Sequence, residues 1–244
     1  MLGGGYNPFL KGILNSLRCN NTKAAFTLAE VLITLGIIGV VATLTIPNLV
    51  NNYEELLYVT KLKKAYSQLE QAKILALDEN MGRLPYQNMS WGGVYVRERH
   101  VEYANIFKKY MNVTTDCTGN SNSLCYGKNY WIKKPDGKTK SIGLPGDTFA
   151  GYTTADGVTY WFYGGQGWII VDLNTSAKGP NINGVDVFWF KMDKKHNLNP
   201  YSIPKNLTEC KTSGWTCSDW VLKYGNHAYR KCPNKVEYGE KTKC

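Results

Sequence analysis

The chain has 244 residues, enough for one compact domain with extensions or for two small domains. Hydrophobic residues make up 43% of the sequence and charged residues 20%, a balance that excludes wholesale disorder. The formal net charge of +10 favours anionic partners or simply solubility, but the basic residues are dispersed in short groups, which excludes a continuous basic arm.

Near the N-terminus, residues 26–50 read FTLAEVLITLGIIGVVATLTIPNLV. A helix of about 20 apolar residues spans a bilayer core, so this segment predicts a membrane-spanning helix. Its one charged residue is Glu30. A carboxylate in hydrocarbon is costly and usually has a partner or a function. A cut before Phe26 would create an α-ammonium one helical turn away, and Glu30 of one copy can then neutralise the amine of another.

Two other interpretations of the apolar segment stay open. A secretory signal peptide also begins with basic residues, here Lys11, Arg18 and Lys23, but no small-residue cleavage site follows the apolar core. Alternatively, Glu30 reaches the headgroups and the helix is only an anchor. If the segment spans the membrane, the three basic residues predict that the leader is cytoplasmic.

This N-terminal pattern resembles that of type IV pilins and type II secretion pseudopilins. The residues that carry the resemblance are KAA before the cut, FTLAE after it, and the apolar helix. In that family a membrane-embedded peptidase cuts before an N-methylated Phe, with a glutamate at the fifth mature position and commonly a proline at the twenty-second. Counted from Phe26, these positions hold Glu30 and Pro47. The family usually has Gly before the cut, where this chain has Ala25.

The resemblance implies four segments: a leader at 1–25, a transmembrane and assembly helix at 26–50, an amphipathic continuation at 51–82, and an exported globular domain at 83–244. It also implies prepilin peptidase and other pilin or pseudopilin subunits as partners. The chain would lie in inner-membrane lipid before assembly, with a single pass and a periplasmic or extracellular C-terminal domain. After assembly it would lie in a periplasmic or cell-surface filament.

The helix is expected to continue beyond the membrane. Pro47 removes a backbone donor, so a kink or local unwinding is expected near Thr43–Pro47. Helical spacing and the stop signals Gly82 and Pro85 predict that the second half enters the domain core. Its apolar stripe is Leu56, Val59, Leu62, Tyr66, Leu69 and Ala72.

The remainder predicts one further helix at 98–112, followed by strands near 129–134, 157–163, 167–172 and 185–192. Three to five antiparallel strands against the long helix make a pilin-like α+β fold with a disulfide-stabilised C-terminal region. Aromatic residues in these strands serve either as sheet core or as a surface on which a sugar or base stacks. They are Trp161, Tyr163, Trp168 and Trp189.

Seven cysteines occur, and six of them follow the apolar segment. An even distal set indicates disulfides in an oxidising compartment. Cys117 and Cys125 can close a small loop; three pairings then remain, of which Cys210–Cys217 with Cys232–Cys244 is favoured. A zinc site is the alternative, but no Cys-x₂₋₄-Cys spacing occurs.

A loop between two predicted strands is rich in side-chain oxygens. Oxygen-rich loops can hold Ca²⁺, and some pseudopilins carry calcium in a comparable loop. The favoured alternative is a connection built from turns in which Asp and Asn bind their own backbone. The calcium candidates are Asp172, Asn174, Asn181, Asn183 and Asp186.

No catalytic motif emerges from the sequence, so the chain is expected not to be an enzyme. No nucleophile elbow, metalloprotease helix, phosphate loop or dinucleotide fingerprint occurs, and Asp147 and Asp156 lie in turn sequences. The first hypothesis is a structural filament subunit. The second is a minor tip pilin that binds DNA or glycan, and the third is an anchored domain that never assembles.

Overall fold

The computed structural model describes residues 26–84, 97–119, 125, 130–143, 149–164, 166–175, 177–201 and 206–244. Helix α1 spans Leu28–Glu79 and helix α2 spans Arg97–Lys108. The strands are β1 Val113–Asp116, β2 Trp131–Lys133, β3 Lys140–Gly143, β4 Ala150–Thr154, β5 Thr159–Tyr163, β6 Trp168–Asp172, β7 Val187–Met192 and β8 Leu198–Pro200. The short helices are α3 Thr208–Thr212, α4 Ser218–Tyr224 and α5 Ala228–Lys231.

The chain divides into two compact units between Leu49 and Val50, inside α1. In the first unit, the large apolar side chains of α1 are exposed, from Leu28 at 81% to Leu49 at 71%. Among the described residues, α1 is the one helix long and apolar enough to cross a membrane. The helix continues through Pro47, so the local unwinding expected there is absent from this structure.

The second part of α1 forms one side of the domain core. Leu62 and Leu69 are fully buried, and they share one apolar cluster with Tyr160 and Phe190 of the sheet. Leu56, which the sequence placed on the buried stripe, is 63% exposed, so the stripe begins one turn later. The buried residues of this part are Val59, Leu62, Ala65, Leu69, Ala72 and Ala76.

A six-stranded antiparallel sheet faces the helix in the order β1-β4-β5-β6-β7-β8, and β2 and β3 form a separate hairpin. The predicted α+β fold is confirmed, although the sequence predicted at most five strands. Because side chains alternate along a strand, Tyr160 and Phe162 enter the core with α1 while Trp161 faces the other side. There Trp161, Ile170 and Trp189 form a second apolar cluster with Ile132 of the hairpin.

Three short helices and two disulfides complete the domain. Trp220 and Tyr229 are buried in the main core. Disulfides join Cys210 to Cys217 and Cys232 to Cys244, so the predicted disulfide-stabilised C-terminal region is confirmed. A third disulfide joins Cys117 to Cys125. With all six thiols in disulfides, none is a zinc ligand in this structure.

Candidate processing and assembly site

The expected cleavage point lies immediately before the described part of the chain. Ala25 is outside the described residues, whereas Phe26 is described and 85% exposed. Helix α1 begins two residues later, at Leu28. The first mature residue would therefore be an exposed aromatic residue just ahead of an apolar helix.

Thr27 and Glu30 form a reciprocal cap at the start of α1. The backbone N–H of Thr27 donates to Glu30 Oε2 at 2.9 Å, and Thr27 Oγ1 donates to the same oxygen at 2.8 Å. In return, Glu30 N donates to Thr27 Oγ1 at 3.2 Å. This is a capping box, and it places the carboxylate next to the positive end of the helix dipole. The Thr-x-x-Glu spacing of the cap is visible in the sequence. From the sequence we nevertheless predict a role only for Glu30, as a partner for the α-ammonium of another copy, and Thr27 is not identified.

Farther along the apolar part, threonines return their hydroxyls to the helix backbone. Thr34 Oγ1 donates to the Val31 carbonyl at 3.0 Å, and Thr45 Oγ1 donates to the Val41 carbonyl at 2.9 Å. These bonds hide the hydroxyls from an apolar environment. Pro47 lies inside the helix, at the position that the family resemblance assigned to a proline.

A cluster that the sequence did not suggest ties α1 to the C-terminal region. The carboxylate of Glu55 forms an ion pair with Lys231, accepts a bond from His227 N at 2.8 Å and lies 3.6 Å from His227 Nδ1. The side chain of His227, followed by Lys231 and the backbone N–H of His227, lowers the pKa of Glu55 to about 2. Glu55 and His227 are 172 residues apart, so no local sequence pattern predicts the contact.

In the loop of the calcium candidates, Asp172 and Asp186 are both fully buried. Asp172 accepts hydrogen bonds from Tyr130 Oη and Asn174 N, at 3.0 and 3.2 Å. Asp186 accepts bonds from Asn181 N and Ile182 N, at 2.8 and 2.7 Å. Each carboxylate oxygen therefore already has a donor, as in a connection built from turns.

The pKa values of the two buried aspartates also matter for calcium binding, because a protonated carboxyl group is a poorer ligand for a cation. Burial, followed by the charge of Asp186, raises the pKa of Asp172 to about 8, and burial raises the pKa of Asp186 as well. Asn183 is turned away: its Oδ1 accepts from Trp189 Nε1 at 2.9 Å. The described residues contain no group of three or more His, Cys, Asp or Glu able to hold a metal. Calcium binding stays the less favoured of the two predictions for this loop, and calorimetric titration of calcium into the protein would test it.

Two further ionisable side chains that catalysis could use, Asp156 and His100, make contacts that stabilise the fold. Asp156 lies in the β4–β5 turn, where it binds Thr154 Oγ1 and Lys64 at 2.7 and 2.8 Å; Asp147 lies outside the described residues. Buried His100 accepts a bond from Gly164 N at 2.9 Å, and burial lowers its pKa to about 4. It is therefore a neutral structural side chain at physiological pH.

The four aromatic residues noted in the strands divide between two environments. Trp161 and Trp189 are buried in the second apolar cluster and belong to the core. Tyr163 and Trp168 are half-buried at its edge. The ring of Trp168 lies 4.8 Å from the ammonium of Lys191. The core interpretation thus accounts for the two buried tryptophans.

Comparison with known families links these features. Residues 20–46 match the prokaryotic N-terminal methylation motif, which is the prepilin motif of type IV pilins and pseudopilins. Comparison of the chain with curated proteins and with solved structures finds no match. The matched residues include the capped helix start and most of the exposed apolar part of α1. They support a type IV pilin-like or pseudopilin-like precursor, a class whose members usually serve as structural subunits and not as enzymes.

Proposed function

We propose that this chain is a structural subunit, a pilin or pseudopilin, of a type IV pilus or a type II secretion-like filament. It is cut between Ala25 and Phe26 by prepilin peptidase, methylated on the new amine and assembled through the first part of α1. The observation that carries the proposal is the coincidence of the matched motif, at residues 20–46, with an apolar helix that its own chain leaves uncovered.

The proposed location follows from the same helix. Before assembly, lipid of the inner membrane covers the apolar part of α1 in a single pass, and the disulfide-containing domain lies outside the cytoplasm. After assembly, the helices of neighbouring subunits replace the lipid. Glu30, at the first turn of α1, then faces the α-ammonium of Phe26 from another subunit.

Processing is the first test of this proposal. The full chain is co-expressed with a prepilin peptidase, and the mature N-terminus is read by sequencing and intact mass. We expect loss of residues 1–25 and a methylated Phe26. We also expect Ala25→Gly to be cut at least as fast, because glycine is the residue usual in the family. A chain that keeps residues 1–25 in the presence of active peptidase would overturn the proposal.

Assembly is the second test, and it separates a filament subunit from an anchor. Glu30→Ala should abolish recovery of the chain in sheared filaments while membrane insertion is kept. Glu54→Ala is the matched control, since this exposed glutamate lies on the same helix but beyond the apolar part. Filament recovery equal in both variants would show that Glu30 has no assembly role and that the chain is a membrane-anchored domain.

A further inference from the structure

The β2–β3 hairpin, residues 131–143, has an unusual charge. It carries four lysines, Lys133, Lys134, Lys138 and Lys140, against one acid, Asp136. The carboxylate of Asp136 is used within the turn, where it accepts bonds from Lys138 N and from both the backbone and hydroxyl of Thr139. Among ion pairs between residues that the structure describes, none involves these four lysines. The hairpin therefore presents largely uncompensated positive charge.

Two of these lysines occupy paired positions in the hairpin, next to an irregularity in the register between Ile132 and Lys133. Lys133 is the direct cross-strand partner of Lys140, and like charges at such positions are destabilising. The hairpin is nevertheless fixed to the domain: Ile132 is fully buried, and the backbone of Lys133 exchanges bonds of 2.7 and 2.9 Å with Asn181 and Asn183. The fold thus keeps two like charges at paired positions in a well-anchored place, where both would attract an anionic partner.

An exposed aromatic ring lies beside the same pair. Trp131 is 41% exposed, two residues before Lys133 and therefore on the same face of the strand. The ammonium of Lys140 lies 4.8 Å from the centroid of its ring. A cation beside an accessible aromatic face is the combination with which proteins bind single-stranded nucleic acid: bases stack on the ring and phosphates pair with the cations.

The charge of the whole distal region agrees with such a partner. Residues 83–244 contain 22 lysines and arginines and 13 aspartates and glutamates, an excess of nine positive charges. An excess of this size attracts polyanions at long range. A membrane surface fits the hairpin less well, because insertion needs an apolar face. Among the hairpin residues whose burial is described, Trp131 is the one exposed large apolar residue.

We propose that the outward face of the β2–β3 hairpin binds single-stranded nucleic acid. One base stacks on Trp131, and phosphates of the same strand pair with Lys133 and Lys140. The interaction is independent of sequence and is a property of one subunit, so it does not rest on cleavage or filament assembly. Its failure and the failure of the proposed function are therefore separate results.

Fluorescence anisotropy tests the proposal, with a labelled oligothymidylate as the probe and the full chain in nonionic detergent. Wild-type protein should bind, and affinity should fall steeply with salt. Trp131→Ala should weaken binding about fivefold or more, whereas Trp131→Phe should retain most of it. The double variant Lys133→Gln with Lys140→Gln should reduce the logarithmic salt slope by about 1.4, because each phosphate that is no longer neutralised lowers it by about 0.7.

Lys191→Gln provides the matched control. Lys191 also lies 4.8 Å from a tryptophan ring, that of Trp168, so the substitution removes the same charge from the same kind of contact. It should change affinity less than about twofold, because it lies outside the hairpin. Near-ultraviolet circular dichroism of each variant verifies that the fold is kept.

Four outcomes would overturn the proposal. They are no binding by wild-type protein, a reduction of affinity in Lys191→Gln as large as that in the double lysine variant, full binding by Trp131→Ala, and loss of binding in Trp131→Phe when the fold is intact. Vesicles of phosphatidylglycerol and an acidic polysaccharide are run beside the oligonucleotide. Trp131-dependent capture of either one without capture of the oligonucleotide would assign the hairpin to that partner instead.

Discussion

The two parts of α1 contain the same kinds of apolar residue but differ in what covers them. In the first part, Leu44 is 69% exposed; in the second, Leu62 is fully buried. A leucine costs free energy when it faces water, in either place. The second part finds its cover within the chain, on the sheet, whereas the first part needs lipid or another subunit. One helix thus serves both folding and, in the proposed function, assembly.

The most direct test of this difference is to replace a leucine by alanine in each part of α1 and to compare the loss of domain stability. We expect Leu62→Ala to lower the free energy of unfolding of the domain by about 2–5 kcal/mol, because it leaves a cavity in the core. Leu44→Ala should change it by less than about 0.5 kcal/mol. Urea denaturation followed by near-ultraviolet circular dichroism measures both. Decreases of similar size would show that the two parts do not divide these roles.

The next largest effect concerns a disulfide of the second unit, which holds all three disulfides between described residues. Replacing Cys232 and Cys244 by serine opens a disulfide whose cysteines are 12 residues apart. We expect domain stability to fall by about 3 kcal/mol, since a loop of this size is released in the unfolded chain. Membrane insertion of the first part should not change, as alkaline extraction of membranes would reveal. Wild-type protein treated with reductant should be destabilised at least as much.

A pH-dependent effect tests the contact between Glu55 and the C-terminal region. The folded-state pKa of Glu55 is about 2, below its ordinary value of 4.5. The carboxylate therefore contributes stability above pH 4.5, and this contribution is lost as pH falls through 2. Because the group is partly solvated, we expect about 1 kcal/mol. Glu55→Gln should remove this contribution, and Glu54→Gln should not; identical acid titrations of stability would contradict the assignment.

The smallest effect is at the start of α1. Thr27→Val removes the hydroxyl of the capping box and should cost about 1 kcal/mol or less at the first helical turn. Because this turn belongs to the first unit, stability of the domain should stay unchanged. Amide hydrogen exchange in detergent should be faster for residues 28–31 and unchanged in β5 and β6. Faster exchange throughout the sheet would contradict the separation of the two parts.

Local patterns are enough to predict the two longest helices and four of the strands, but not α3, α4 and α5, which are only four to seven residues long. The apolar segment, the helical spacing of Val59 and Leu62, and the runs that form β6 and β7 each carry their own signal. Strands β1, β3 and β8 escape prediction because four, four and three residues leave too little periodicity to recognise. Strand β4 escapes because its five residues, AGYTT, include only one large apolar side chain. The prediction that Leu56 is buried was wrong, because periodicity identifies the apolar face of a helix but not the point along the helix at which the sheet ceases to cover that face.

The candidate sites are predicted unevenly. Glu30 and Pro47 are found by counting from the cut, whereas the Thr27 cap is visible in the sequence but easily overlooked. The Glu55 cluster has no local signature, because it depends on which residues the fold brings together. The pairing of Lys133 with Lys140 lies within one hairpin, but an irregularity in the register after Ile132 sets which residues pair there. The two buried aspartates resemble metal ligands in the sequence, but the structure places donors on all four of their oxygens.

The capping box gives assembly a particular thermodynamic form. In the uncut chain Glu30 is already engaged by Thr27, through two bonds to a single oxygen. Under the proposed function, an incoming amine from a neighbouring subunit has to compete with those bonds or share the carboxylate with them. Docking is then an exchange of partners whose net gain is smaller than that of a bare charge finding its counterion. A subunit that leaves the filament re-forms the hydrogen bonds between Thr27 and Glu30. It can then return to the membrane and be assembled again.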